Sequence, residues 1–327
     1  MNNIMDKINF IKWQVLSRLP KGSIYNRILY SLINNIDENN PFYYIYWLDI
    51  NKSWIKKYLF GTYCTDNSDY ENFIEWLNKC YKKAKFYEIS VDGMNIKIPC
   101  PDKDDYKCFK AEFLDIIMPY IVNASSLNHP FLEGPYEYGN VHLNSGDVVF
   151  DLGANYGLFT SLASAKGCEV FAFEPTFKVY SRYLMNLLND NVHIYNDAIS
   201  NKSGISLFKT FNKNSSCNRL CHDNEKFVND GLVPVSTITI DDFVSKEKLN
   251  NVDFIKADIE GAERLMLEGA KNTLKEFAPK LSICYYHRLD DLKVLKKQIL
   301  EANSNYEIDV AYKKIYAYIP GKSNQKE

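Results

Sequence analysis

A chain of 327 residues, 46% of them hydrophobic, can bury one substantial α/β core with a smaller appendage but is short for three domains. Its 39 Lys and Arg against 41 Asp and Glu leave a net charge of −2 with no long basic run, which argues against nucleic acid as a partner. The most apolar windows, around Phe42 to Ile50 and Phe113 to Val122, fall far below the roughly 20 residues of a membrane span, and Asp6 interrupts any export signal, so a soluble cytoplasmic protein is expected.

From Met1 to about Lys85 the pattern is helical: Tyr70, Phe73, Ile74, Leu77 and Tyr81 recur at spacings of three and four behind the capping residues Asn67 and Ser68. The cluster Phe42 to Trp47 reads as packing. Residues 86–140 form a hairpin and connector: Phe86 to Val91 and Met94 to Ile98 flank the turn dipeptide Asp92-Gly93, and Pro130, Gly134, Pro135 and Gly139 interrupt the connector. Glu133 to Glu137 precedes the main sheet, where the Tyr136 ring is expected either against a ligand or as an incidental turn aromatic.

Residues 141–320 alternate short apolar runs with helical patterns. Asp147 to Leu152, Glu169 to Phe173, Val192 to Tyr195, Asp253 to Ala257 and Lys280 to Cys284 read as strands of βαβ units in a mainly parallel sheet with helices on both faces. Ile205 to Phe211 and Val233 to Ile240 read as extra strands around a polar loop, Asn212 to Asn229, that could form a flap. Tyr306 to Val310 and Ile315 to Ile319 suggest an antiparallel pair closing the sheet edge, and 321–327 is a polar tail.

The most informative segment is Val148 to Gly157, a buried strand running into a glycine-spaced turn before a helix near Leu158. Gly153 and Gly157 allow a sharp turn and close approach to a ligand. Glu174, at the end of the next strand, offers a carboxylate to both hydroxyls of a ribose. The second glycine of a pyrophosphate-binding turn is replaced by Asn155, which with Asp151 suits S-adenosylmethionine better than NAD. A Rossmann-like NAD-dependent oxidoreductase and a non-catalytic binding protein that kept the fold are the alternatives.

Asp258 and Glu260, in Lys256-Ala-Asp-Ile-Glu-Gly261, and His287 follow two later strands at their carboxyl ends, where open α/β sheets bind ligands. Each could serve as general base toward a hydroxyl, although Glu260 could instead cap a helix beginning at Gly261 and His287 could lie on the surface. No metal is expected: Cys217, Cys221 and His222 lack a second ligand pair, Asn224 stands where a cluster-binding thiol would be needed, and the eight scattered cysteines read as reduced. His142 and His193 read as structural.

Asp151 to Gly157, Phe173-Glu-Pro175 and Phe254 to Glu263 together resemble the FkbM family of methyltransferases over about Gly134 to His287. The resemblance implies a seven-stranded methyltransferase sheet, S-adenosylmethionine as donor and O-methylation of a sugar, glycan or natural-product hydroxyl, a role in polysaccharide biosynthesis. It maps the glycine loop onto Gly153, Asn155 and Gly157, the ribose acid onto Glu174 and an adenine contact onto Asp197. Cys284 and Tyr285 depart from the family pattern before His287.

Overall fold

Strands buried on both faces need cover on both, and the runs Val148-Val-Phe-Asp-Leu152 and Phe254-Ile-Lys-Ala257 build the centre of such a sheet. The computed structural model describes residues 86–91, 93–101, 105–121, 133–210, 218–221 and 232–322. The helical reading of 1–85 with its aromatic cluster, Asp92, Cys217, His222, Asn224 and the tail beyond 322 lie outside them.

Strands β1 (Phe86–Val91) and β2 (Met94–Pro99) form the expected antiparallel hairpin. Two helices come next, where only a connector was expected: α1 (Tyr106–Ile116) and α2 (Met118–Ile121). Phe109, Phe113, Ile116 and Ile117 give α1 its three-and-four spacing, a helical signal already present in the sequence.

The main sheet is built from β3 (Val148–Leu152), β4 (Glu169–Phe173), β5 (Val192–Tyr195), β10 (Phe254–Ala257), β11 (Lys280–Cys284), β12 (Glu307–Ala311) and β13 (Lys314–Tyr318). Their spatial order is β12-β13-β11-β10-β3-β4-β5, a seven-stranded mixed sheet. β3, β4, β5, β10 and β11 run parallel, while β12 and β13 form the antiparallel edge. Sequence order reverses between β3 and β10, so the crevice beyond their carboxyl ends is the switch point where ligands bind in such sheets.

Between β5 and β10 the chain forms a second sheet of β6 (Asp197–Ile199), β7 (Gly204–Lys209), β8 (Arg219–Leu220) and β9 (Leu232–Ile238), in the order β6-β9-β7-β8. β9 stops at Ile238 rather than Ile240, because Thr239 caps α5 (Ile240–Glu247) by accepting from Asp242 N at 2.9 Å.

On one face, Phe150, Leu152, Ile255, Ala257, Leu281 and Ile283 meet α5, α6 (Glu263–Glu268), α7 (Lys271–Glu276) and α8 (Asp291–Ala302). Phe243 of α5 is fully buried there, its ring 4.8–5.8 Å from those of Phe150, Phe171, Phe173 and Tyr195. On the opposite face, α3 (Leu158–Ala165), followed after β4 by α4 (Phe177–Arg182), lays Phe159 against Phe254 at 5.9 Å and takes the β2 hairpin strand through Lys97 N donating to Ser161 Oγ at 3.0 Å. The sheet is therefore covered on both sides.

Candidate functional site

β3 runs straight into the turn at Gly153, whose N–H and that of Ala154 both donate to Phe173 O at the end of β4. Gly153 and Gly157 have φ of +74° and +78°, and Asn155 adopts φ +44°, unusual for a residue with a side chain. The reason for glycine differs from ligand approach alone. A Cβ on Gly153 would stand 2.0 Å from Asp258 O, and one on Gly157 would stand 2.4 Å from Leu187 Cδ1. Both glycines let the loop pack against its own protein, and Gly153 brings it onto the backbone of Asp258.

Glu174 is buried, and each of its oxygens receives one backbone N–H: Oε1 from Thr176 at 2.7 Å and Oε2 from Asn155 at 3.0 Å. The Thr176 side chain also hydrogen-bonds this carboxylate, so of its about four lone-pair positions one is left for a ligand hydroxyl. Burial raises its pKa, opposed by the hydrogen bonds from Thr176 and Asn155. Asn196 Nδ2 donates to Glu174 O at 2.7 Å and steadies the backbone behind it.

The parallel register sets Lys256 beside Asp151 on the α3 face. Lys256 is buried; its Nζ lies 2.9 Å from Asp151 Oδ1 and donates to Gly153 O at 2.6 Å and Leu152 O at 3.2 Å. Asp151 is fully buried and accepts from Thr160 Oγ1 at 2.6 Å through its second oxygen. Burial pushes the Lys256 ammonium toward neutrality, but Asp151, Asp258 and Glu112 outweigh it and hold the pKa above its ordinary value. Asp151 is thus committed to Lys256 and Thr160, and Lys256 clamps the Gly153–Gly157 loop to β10.

Asp258 follows β10, its Oδ2 accepting from Tyr136 Oη at 2.8 Å and its Oδ1 from Tyr286 Oη at 3.2 Å. Burial opposes its ionisation, yet Lys256, His287, Lys314 and the Tyr136 hydroxyl depress its pKa below the ordinary value. The Tyr136 ring is buried, with Phe159 at 5.4 Å and the Lys256 and Lys314 ammonium groups at 5.2 and 4.5 Å. It is neither an open stacking face nor an incidental turn residue: its hydroxyl fixes Asp258.

Glu260 has φ +54°, a strained value for a β-unbranched acidic residue, and its side chain is 29% exposed at the mouth of the crevice. The helix expected at Gly261 begins instead at Glu263, whose Oε1 accepts from Ile259 N at 2.9 Å. Glu263, in the first turn, therefore supplies the negative charge at the helix start that Glu260 was expected to supply. Burial raises the Glu260 pKa, and His287 opposes the rise.

His287 is brought to the same edge by the turn after β11, with its side chain 8% exposed rather than out on the surface. Its Nδ1 lies 3.2 Å from Glu263 Oε1, and its Nε2 lies 3.4 Å from Glu260 Oε2 and 3.7 Å from Asp258 Oδ1. Burial alone would lower its pKa, but these carboxylates raise it to about 11, so the ring is an imidazolium at neutral pH. Asp258, Glu260 and His287 also offer one ligand atom each within 4.8 Å of one another, an imidazole and two carboxylates at a spacing open to a divalent transition metal. Metallation would require the neutral imidazole, so it and protonation exclude each other.

Asp197 stands apart from this cluster in β6 of the second sheet, opposite Ser236 of β9. It is 1% exposed; burial raises its pKa, while Ser236 and Lys246 oppose the rise. Its strand was missed in sequence because three residues carry little periodicity.

The sequence pattern of the methyltransferase FkbM domain matches residues 151–324, more than half of the chain. A hexuronic acid methyltransferase, AglP, of Haloferax volcanii is 27% identical over 164 residues, half of this chain; the chain spans 65% of that relative's length. Among solved structures, methyltransferase FkbM from Methylobacillus flagellatus aligns with 77% of this chain and 60% of its own at 19% identity and a TM-score of 0.43. A precorrin-6y C5,15-methyltransferase from Geobacter metallireducens aligns with 54% of this chain and 82% of its own at 15% identity and a TM-score of 0.31. With the domain pattern spanning the Gly153–Gly157 loop, Glu174 and the acidic edge at Asp258 and Glu260, the chain belongs to the family defined by the methyltransferase FkbM domain.

Proposed function

We propose that this protein transfers a methyl group from S-adenosylmethionine to a hydroxyl of a sugar or glycan. The observation that carries the reading is Glu174, a buried carboxyl at the end of β4 pinned in place by Asn155 N, Thr176 N and the Thr176 side chain, with an acceptor position left for a ribose hydroxyl. When bound, the cofactor supplies an electrophilic methyl on a sulfonium. Asp258, ionised and held by two tyrosine hydroxyls, orients the acceptor hydroxyl. Glu260, more exposed and with a raised pKa, takes the proton as the oxygen attacks. His287, already charged, offsets the carboxylates around it and acts as a positioning residue rather than as the base. Asp197, from the second sheet, contributes on the adenine side. Rate enhancement comes chiefly from alignment and exclusion of water, since attack on a sulfonium needs little charge stabilisation at the oxygen. A uronic acid or related sugar as acceptor rests on the hexuronic acid methyltransferase relative.

Calorimetric titration with S-adenosylmethionine and S-adenosylhomocysteine, with NAD as control and Glu174→Ala beside the wild type, tests this. Binding of the first two, weakened by at least about tenfold in the variant, supports the pocket. NAD binding without the others would overturn it.

A further inference from the structure

Helix α1 lies before the matched family domain, yet it is fastened to the cofactor loop. Tyr156, fully buried within that loop, packs edge-on against Phe109 at 5.8 Å and Tyr183 at 5.1 Å, and Tyr183 Oη donates to Asp105 Oδ2 at 2.8 Å just before α1 begins. Three residues beyond Phe109, on the same helix face, stands Glu112. Its Oε1 accepts from Asn155 Nδ2, the side chain of the left-handed loop residue whose backbone N–H holds Glu174. Its other oxygen has no hydrogen bond among the described residues.

A ligand with its ribose on Glu174 and its methyl near Asp258 must lay its aminoacyl arm across the loop that Glu112 overlooks. Resting on the cofactor reading above, we infer that Glu112 is the recognition group for the α-ammonium of S-adenosylmethionine, accepting from it through the oxygen that Asn155 leaves open. The charges facing Glu112 are Lys256, Asp258 and Asp151. Lys256 is saturated by Asp151, Gly153 O and Leu152 O, so the unmet need of this cluster is for a cation. Burial, with Asp258 and Asp151 adding to it, raises the Glu112 carboxyl to about 8 against the opposing pull of Lys256 and Asn155. Before ligand arrives, the carboxyl therefore holds a proton near neutrality, and an incoming ammonium displaces it.

The test is calorimetry on the full chain with S-adenosylmethionine and with 5′-methylthioadenosine, which lacks the aminoacyl arm, comparing wild type with Glu112→Gln. A hydrogen bond to a charged group is worth about 1.5–3 kcal/mol, so the variant should bind S-adenosylmethionine roughly 10- to 100-fold more weakly and 5′-methylthioadenosine within about twofold of wild type. Titrations at pH 7 in buffers of differing ionisation enthalpy should show proton release by the wild type that the variant lacks. Unchanged affinity for S-adenosylmethionine, equal loss for both ligands, or no proton release by the wild type overturns the assignment. If the wild type binds neither ligand, the cofactor reading itself fails and this inference falls with it.

Discussion

Replacing Lys256 with methionine removes a buried cation while keeping most of its packing volume. What remains is Asp151, fully buried, with Thr160 Oγ1 still donating to one oxygen, and two carbonyls, Gly153 O and Leu152 O, stripped of their ammonium partner. Breaking a buried pair by deleting one charge costs about 3–5 kcal/mol, because the other charge stays buried and uncompensated. For a unit of this size that corresponds to a melting temperature lower by on the order of 10 °C. Urea unfolding at pH 7 measures the loss, and its slope should be unchanged if the variant retains the same native core. The double variant Lys256→Met with Asp151→Asn removes both charges and should recover a large part of the stability, with a coupling of about 1–3 kcal/mol between the sites. A single variant that loses under about 1 kcal/mol, or a double variant no more stable than the single, would refute the view that Lys256 is held in place by Asp151.

Other consequences are as direct. Glu260→Gln should lower kcat by about 100-fold or more while leaving cofactor affinity within about twofold, as read by methyl transfer and calorimetry; a smaller loss moves the proton-accepting role elsewhere. Phe243→Ala empties a site ringed by four aromatic side chains and should cost about 3–5 kcal/mol in urea unfolding, with a value near about 1 kcal/mol meaning that the core collapses around the gap. His287, raised to about 11 in the folded protein, contributes stability in full below its unfolded pKa of about 6.5 and loses it as pH climbs toward 11. Melting curves across that window should therefore fall with pH in the wild type and more shallowly in His287→Gln.

The sheet was largely legible because its strands are short, apolar and bounded by polar turns. Glu169–Phe173, Val192–Tyr195 and Lys280–Cys284 end where their sequence patterns end, and the closing antiparallel pair is dictated by two extended runs separated by too few residues for a crossover. The features that escaped depend on partners distant in sequence. β6 is three residues long and exists through β9, far along the chain, so its local pattern has almost nothing to show. Helix α1, by contrast, shows its period locally, through Phe109, Phe113, Ile116 and Ile117.

The same distinction separates the site's members. Gly153, Glu174 and Asp258 announce themselves because a turn, a strand end and a carboxylate are each local chemistry. Lys256 and Glu112 do not, since the first matters through the β3–β10 register and the second through a helix laid over the loop from outside the matched domain. His287 was visible as a residue but not as a charge: Asp258, Glu260 and Glu263 come from the turn after β10 and the start of α6, and only their convergence on one imidazole turns an expected base into a fixed cation. In the proposed reaction that reversal hands proton acceptance to a carboxylate. Glu260, at the end of a strained turn, is more exposed than Asp258 and lacks the two tyrosine hydroxyls that stabilise the Asp258 anion, so of the two it is the better placed to receive the proton.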